Sequence, residues 1–256
     1  MNLLVFDSGI GGLGVVREIR RLQPQAGITY LADNAFFPYG EKPDAELLAH
    51  ILRLIGAAIG RFAPDAVVVA CNTASTIALA GLRAAHARPF IGCVPPVKPA
   101  AAASRSKHIG VLATAATVRR AYLADLVQAY AADCTVHTLG TPALAELAEQ
   151  KFAGRAVDPL ASMAPLFTRP GGENIDAVAL GCTHYTFLLD EFQAAYPEIA
   201  WFDPALPVAR QTLAVTETLP PTPRRPDAAW FTGAEPVSGA MRESLAGFGF
   251  KEVGAF

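Results

Sequence analysis

Val67-Val-Val-Ala-Cys71-Asn-Thr73 and Ala177-Val-Ala-Leu-Gly-Cys182-Thr-His184 are the same device written twice: a short apolar run ending in a cysteine and two hydrogen-bonding residues. Runs without a polar face must be covered on both sides, which is the condition of parallel strands flanked by helices. The polar residues that end each run mark the rim of such a sheet. In open α/β sheets, that carboxyl end is where ligands bind. Two thiols delivered this way, one from each half of the chain, can flank a single small substrate. Such a pair suits removing a proton from one face of a carbon and returning one to the other.

The remaining sequence repeats the alternation of strand and helix. Strands are expected at Leu3–Phe6, Ile28–Ala32, Val67–Ala70 and Pro89–Val94. Helices are expected from the Gly9–Gly14 turn to about Leu22, from an N-cap at Asp44 to about Phe62, and over Ser75–Ala87. Pro38-Tyr-Gly40 falls in a loop, and Pro95-Pro96 is a candidate hinge. A second series has strands at Ile109–Leu112, Cys134–Leu139 and Ala177–Leu180, with helices over Thr117–Tyr130, Ala143–Phe152 and Asp158–Leu166. Val5–Gly9 can be laid over Val111–Ala115, and Cys71–Thr73 over Cys182–His184, at nearly equal offsets, which supports an internal duplication. The last segment holds a helix near Val208–Leu219, a Pro/Arg-rich loop (Pro220–Pro226), a strand Ala229–Phe231 and a helix from Val237. The expectation is an α/β protein of two pseudosymmetric, doubly wound parallel-sheet domains with the active site in the cleft between them. Residues 1–95 plus 207–256 form one domain, completed by the C-terminal segment, and residues 96–206 form the other.

Composition narrows the function. At 256 residues, 52% hydrophobic and 17% charged, the chain is long enough for a sizeable core. A net charge of -2 gives no electrostatic footprint for nucleic acid or an anionic membrane. The longest uncharged stretch, Ala66–Leu82, contains Asn72, Thr73, Ser75 and Thr76 and does not suit a membrane span. Met1–Asp7 has neither a basic n-region nor a cleavage site, so no secretory signal is expected. Cys71, Cys93, Cys134 and Cys182 form no CxxC pair and no metal-type spacing with histidine. The expected setting is the reducing cytoplasm, with free thiols and no metal. Gly9-x-Gly11-x-x-Gly14 fits a dinucleotide fingerprint, with Asp33 near the place of a ribose-binding acid. Asp7-Ser8 would put a carboxylate beside the pyrophosphate, however, which argues against a nicotinamide oxidoreductase.

With these pieces in view the chain resembles the glutamate racemases over nearly its whole length. The resemblance rests on Asp7-Ser-Gly-Ile-Gly-Gly-Leu13, Pro38-Tyr-Gly40, Ala70-Cys-Asn-Thr-Ala-Ser75, Val97-Lys-Pro99, Thr114 with Thr117, and Leu180-Gly-Cys-Thr-His-Tyr185, in that order. It implies cofactor-independent interconversion of L- and D-glutamate, supplying D-glutamate for peptidoglycan. Cys71 and Cys182 match the two catalytic thiols, the Cys71 position taking the proton from the D-enantiomer and the Cys182 position from the L-enantiomer. Asp7 and His184 match the polar residues beside them. Ser8, Tyr39, Gly40, Asn72, Thr73, Thr114, Thr117 and Thr183 match substrate-holding positions. The acidic residue on the helix before the second cysteine strand is Glu146 or Glu149, and the sequence does not choose. The chain departs from the family pattern at Asn34–Phe37, where a basic residue is common, and at Thr186, where proline is common.

The chemistry fits those residue types. A thiol of ordinary pKa about 8.5 can serve as acid or base near neutrality, and a helix N-terminus favours its thiolate. His184 can exchange a proton with Cys182, whereas Asp7 beside Cys71 raises that thiol by like-charge repulsion. No Arg or Lys lies in the cysteine or Asp-Ser motifs, so hydroxyls and helix-start N–H groups are expected to hold the substrate carboxylates. Nothing resembles a pyridoxal lysine site, and no cofactor is expected. Cys93 and Cys134 read as packing residues, His50, His86, His108 and His137 lie in ordinary helix, turn or strand contexts with no chemical role expected, and Asp33 is as readily structural as functional. A related racemase or decarboxylase acting on aspartate, a hydantoin or a malonate is the alternative, with His184-Tyr185 favouring glutamate. A non-catalytic small-molecule-binding protein is a remoter one. The expected partner is a small amino acid, with neither nucleic acid nor membrane, and the sequence leaves a homodimer open.

Overall fold

Strands buried on both faces alternate their side chains between two cores, and this chain does so in each half. The computed structural model describes residues 1–234 and 237–256. In chain order the strands are β1 (Asn2–Asp7), β2 (Gly27–Ala32), β3 (Ala66–Val69), β4 (Phe90–Gly92), β5 (His108–Ala113), β6 (Thr135–Gly140), β7 (Ala177–Gly181), β8 (Ala200–Phe202), β9 (Ala228–Phe231) and β10 (Glu252–Ala255). They form a six-stranded sheet in the order β10-β9-β2-β1-β3-β4 and a four-stranded sheet in the order β6-β5-β7-β8. Pairing is parallel throughout.

The run β2-β1-β3-β4 and the run β6-β5-β7-β8 share one topology, as the two-fold reading of the sequence expects. In β1, Leu3 and Val5 enter one core, and Leu4 and Phe6 the opposite one. In β7, Ala177 and Ala179 enter one core, and Val178 and Leu180 the other. Cys71 and Cys182 continue this alternation one step past the apolar runs, on the faces of Val67, Val69 and of Val178, Leu180. Covering helices such as Leu13–Leu22 and Asp44–Phe62 bury apolar stripes against the first sheet. The strands β9 and β10 extend that sheet beyond β2.

Several elements differ from expectation. Asp44 is the first residue of its helix, not the cap; Pro43 holds the cap position, and the Asp44 carboxylate pairs with Arg120 instead. The helix behind β3 begins at Asn72, directly after Cys71, rather than at Ser75. A helix over Val97–Ala103 follows Pro95-Pro96; its Pro99 falls in the first turn, where the missing N–H has no intrahelical partner to lose. The expected helix Thr117–Tyr130 is two, Ala115–Arg119 and Ala121–Tyr130, separated by an extended Arg120 and capped at the first by the Thr114 hydroxyl. Asp158–Leu166 likewise gives two single turns, Leu160–Met163 and Pro165–Thr168. Pro38-Tyr-Gly40 leads into a 3-10 turn, Tyr39–Glu41. The last helix is Gly239–Gly247, capped by Ser238.

Candidate active site

The carboxyl ends of β1 and β3 in the first sheet and of β5 and β7 in the second converge on one small cleft. It is lined by Ser8, Phe37, Pro38, Tyr39, Gly40, Cys71, Asn72, Thr73, Thr114, Ala145, Gly181, Cys182 and His184. Both thiols therefore face the same space, each with 6% of its surface exposed. Neither is in a disulfide.

Each sulfur has its own surroundings. Ser8 Oγ lies 3.8 Å from Cys71 Sγ, and Ser8 also donates to Asp7 Oδ1 at 3.3 Å. Asp7 is buried and further accepts the Gly9 N–H (3.2 Å) and the Thr183 hydroxyl (2.9 Å), the latter from the opposite lobe. On the other side, His184 Nδ1 lies 3.9 Å from Cys182 Sγ and His184 Nε2 lies 2.9 Å from Glu149 Oε1. Glu149 Oε1 also accepts the Ile10 N–H at 2.8 Å, so Glu149 rather than Glu146 is the acidic partner. The Phe37 ring, in the Asn34–Phe37 segment where a basic residue is common in the family, packs 5.3 Å from the His184 ring.

These surroundings push the two sides apart electrostatically. Burial, then the Asp7 charge, pushes the Cys71 thiol well above the ordinary cysteine range. The Ala74 N–H at the start of helix Asn72–Ala85 acts in the opposite sense but does not prevail. The helix start thus favours a Cys71 thiolate as expected, but burial, together with the Asp7 charge expected to raise this thiol, outweighs it. Cys182 is followed by a 3-10 segment, Thr183–Leu188, rather than an α-helix, so its neighbour His184 is the nearer electrostatic influence. Burial alone would push the His184 imidazole down; hydrogen bonds and charges from Cys182 and Glu149 outweigh it and hold His184 well above the usual histidine value. Asp7 is raised, chiefly by burial, against the lowering effects of His184 and Thr183.

The other candidate residues divide between lining and support. Asn72 is 2% exposed and faces the cleft, and neither its Oδ1 nor its Nδ2 has a hydrogen-bond partner among the described residues. Such an amide carries an unmet desolvation cost that a bound polar ligand removes. The Thr73 and Thr114 hydroxyls meet across the cleft at 3.3 Å. Thr117 stands behind Thr114, 2.9 Å from its hydroxyl, and does not line the cleft; neither do Asp7 and Thr183. Among the described residues no lysine or arginine lines the cleft. No group of three or more His, Cys, Asp or Glu among them could hold a metal ion, and no helix is long and apolar enough to cross a membrane.

The glycine-rich turn takes on a different meaning here. A methyl group at Gly11 would lie 2.5 Å from Thr183 Oγ1 and 2.6 Å from His184 Nδ1, and one at Gly9 would overlap Glu149 Oε1. These glycines admit Thr183, His184 and Glu149 of the second lobe rather than a pyrophosphate. Asp33, which the sequence left open between structure and function, and His50, which it gave no role, lie behind Tyr39; a carboxylate directly after β2, close to where Asp7 ends β1, is the signal for the first. Nothing on its helix singled out His50.

Comparison with known proteins agrees with this geometry. The sequence profile of the Asp/Glu/hydantoin racemase family matches residues 14–212. A glutamate racemase of Granulibacter bethesdensis is 48% identical, over 98% of this chain and 95% of its own length. One from Pasteurella multocida is 46% identical, over 78% of this chain and 75% of its own. The crystal structure of Escherichia coli glutamate racemase in complex with L-glutamate and the activator UDP-MurNAc-Ala superposes with a TM-score of 0.93 at 35% identity, covering 100% of this chain and 97% of that one.

Proposed function

We propose that this chain, which belongs to the Asp/Glu/hydantoin racemase family and is an amino-acid racemase, interconverts L- and D-glutamate by a two-base transfer between Cys71 and Cys182. Starting from the L-enantiomer, the Cys182 sulfur takes the Cα proton, and the Cys71 thiol gives its proton to the opposite face. The D-enantiomer reverses both steps, so each turnover exchanges which sulfur carries the proton. The observation that carries the reading is that both thiols line one cleft from opposite lobes, each with its own polar attendants.

The attendants suit the division of labour. A Cys71 held as thiol is ready to act as an acid, and His184 Nδ1 lies 3.9 Å from Cys182 Sγ, within reach to exchange a proton with it. The unpartnered Asn72 amide, the Thr73 and Thr114 hydroxyls, and the N–H groups opening helix Asn72–Ala85 supply donors for the substrate carboxylates and for charge developing at Cα. Burial of the cleft strengthens each of these interactions by keeping bulk water out. In the cell the reaction would take place in the cytoplasm and supply D-glutamate to peptidoglycan.

Circular dichroism of glutamate incubated with the purified protein tests the reading. Both enantiomers should decay to the racemate without added cofactor, and aspartate should racemise far more slowly. Cys71→Ser and Cys182→Ser should each lower turnover by about 10²- to 10⁴-fold, the range expected for loss of a positioned acid or base. Substantial residual racemisation in either variant removes that residue from the role given it.

A further inference from the structure

Tyr39 and Gly40 form one wall of the cleft, and Gly40 packs directly on Thr114 of the opposite lobe. Little in their own backbone secures them. Lys42 N–H bonds to Tyr39 O at 3.2 Å and Glu41 N–H to Pro38 O at 3.5 Å, both inside the turn itself. The Tyr39 ring is buried against Phe6 of β1, and the polar tether to the sheet is its hydroxyl, which donates to Asp33 Oδ2 at 2.5 Å, where Asp33 follows the end of β2. That hydroxyl is therefore committed to the protein interior and not offered to a ligand.

We propose that His50 is a positioning residue for the racemase site: held by Arg53 as its Nε2–H tautomer, it fixes the Asp33 carboxylate that anchors Tyr39, and so sets the Tyr39–Gly40 wall. Arg53 Nη2 lies 3.1 Å from His50 Nδ1. A guanidinium can only donate, so Nδ1 must accept and the ring proton resides on Nε2. That nitrogen points at Asp33 Oδ2, 2.6 Å away. The Phe36 ring stacks on the imidazole with centroids 4.2 Å apart and planes 16° from parallel, which fixes the ring's orientation. Asp33 is fully buried, and its other oxygen accepts the Thr232 hydroxyl at 2.7 Å. Without His50, a buried acceptor would lose one of its three side-chain donors, and the carboxylate would be free to turn away from Tyr39.

The kinetic consequence rests on the racemase reading above, so the test has one arm that depends on it and one that does not. In the first, steady-state racemisation is measured for wild type, His50→Ala, His50→Gln, Tyr39→Phe and the His50→Ala/Tyr39→Phe double variant. His50→Ala should raise KM for both enantiomers by about five- to tenfold with kcat changed by less than about twofold, the scale of one lost hydrogen bond. Glutamine, which keeps an N–H donor, should recover most of the loss. Tyr39→Phe should raise KM similarly, and the double variant should add nothing further, because both changes cut one chain of contacts. An unchanged KM in His50→Ala, or effects that multiply in the double variant, would overturn the proposal. In the second arm, long-range ¹H–¹⁵N spectra of the imidazoles read the tautomer directly, with His50→Gln assigning the signal. Wild type should show the Nε2–H form, and Arg53→Ala should relax it toward a mixture. An Nδ1–H form in wild type would overturn the arrangement whether or not glutamate is the substrate. Failure of wild type to racemise glutamate, with the Nε2–H signal present, would instead count against the substrate assignment.

Discussion

At the scale of single residues, two similar cysteines are made different by what surrounds them. Cys71 is raised by burial and by Asp7, which keeps it in the thiol form that the proposed acid role needs. Peptide-mapped alkylation tests this: Cys71 should react appreciably only in alkaline solution, and Asp7→Asn should bring that onset down by about one pH unit. No shift on removing Asp7 would mean that burial alone governs the thiol. His184 carries a linkage of definite sign. Its folded-state pKa lies above the unfolded one, so its pairing with Glu149 and Cys182 stabilises the fold fully below about pH 6.5, and this contribution is lost as pH rises through the folded value. His184→Gln should therefore cost most stability in urea titrations near pH 6 and progressively less toward alkaline pH. A deficit that widens with pH would contradict the assignment. The sequence carried these residues well where chemistry is written locally, as in Cys-Asn-Thr and Cys-Thr-His. It could not choose between Glu146 and Glu149, because only the fold decides which carboxylate reaches both the Ile10 N–H and His184.

At the scale of elements, the strands were legible because two-sided burial leaves uninterrupted apolar runs such as Val67–Ala70 and Ala177–Leu180. Helix boundaries were less so. Pro99 hid the helix Val97–Ala103, and nothing in the Thr117–Tyr130 pattern marked the break at Arg120, whose extended backbone accompanies its contact with Asp44 on the other lobe. The strand β10 was missed because Glu252–Ala255 is short and half-exposed, with pairing to β9 rather than its own pattern defining it. The glycine-rich turn shows how one motif serves different ends. Gly11→Ala should destabilise the protein by about 1–3 kcal/mol through overpacking. It should also lower kcat far more than a stability loss of that size explains, because the added methyl meets Thr183 and His184. Wild-type turnover in a folded Gly11→Ala protein would show that the second lobe need not seat so closely on the turn.

At the scale of the whole molecule, two sheets with matching strand order present the ends of equivalent strands to each other, and the cleft exists only where they meet. Among the described residues, polar contacts that join the lobes there include Thr183 to Asp7, His184 to Asp7 at 4.0 Å, Ile10 to Glu149, Thr73 to Thr114, and Arg120 to Asp44 at 2.7 Å with Thr76 nearby. The Arg120–Asp44 pair is exposed on its acidic side, so it is screened by salt and contributes little to global stability. Because it joins the two lobes, its proposed effect is on substrate affinity. Asp44→Asn should raise KM by about two- to fivefold at low ionic strength, the scale of an exposed ion pair, and the difference should vanish in high salt. An unaltered KM at low salt would show that substrate affinity does not use this pair. The central claim, sulfurs serving opposite faces of one carbon, is tested most directly by the isotope in the product. L-glutamate is incubated with the protein in D2O, the reaction is stopped early, and the enantiomers are separated and weighed by mass spectrometry. The account predicts deuterium at Cα in the D-glutamate formed and protium in the L-glutamate recovered, with the mirror result from D-glutamate; deuterium appearing equally in product and recovered substrate would mean that one base serves both faces.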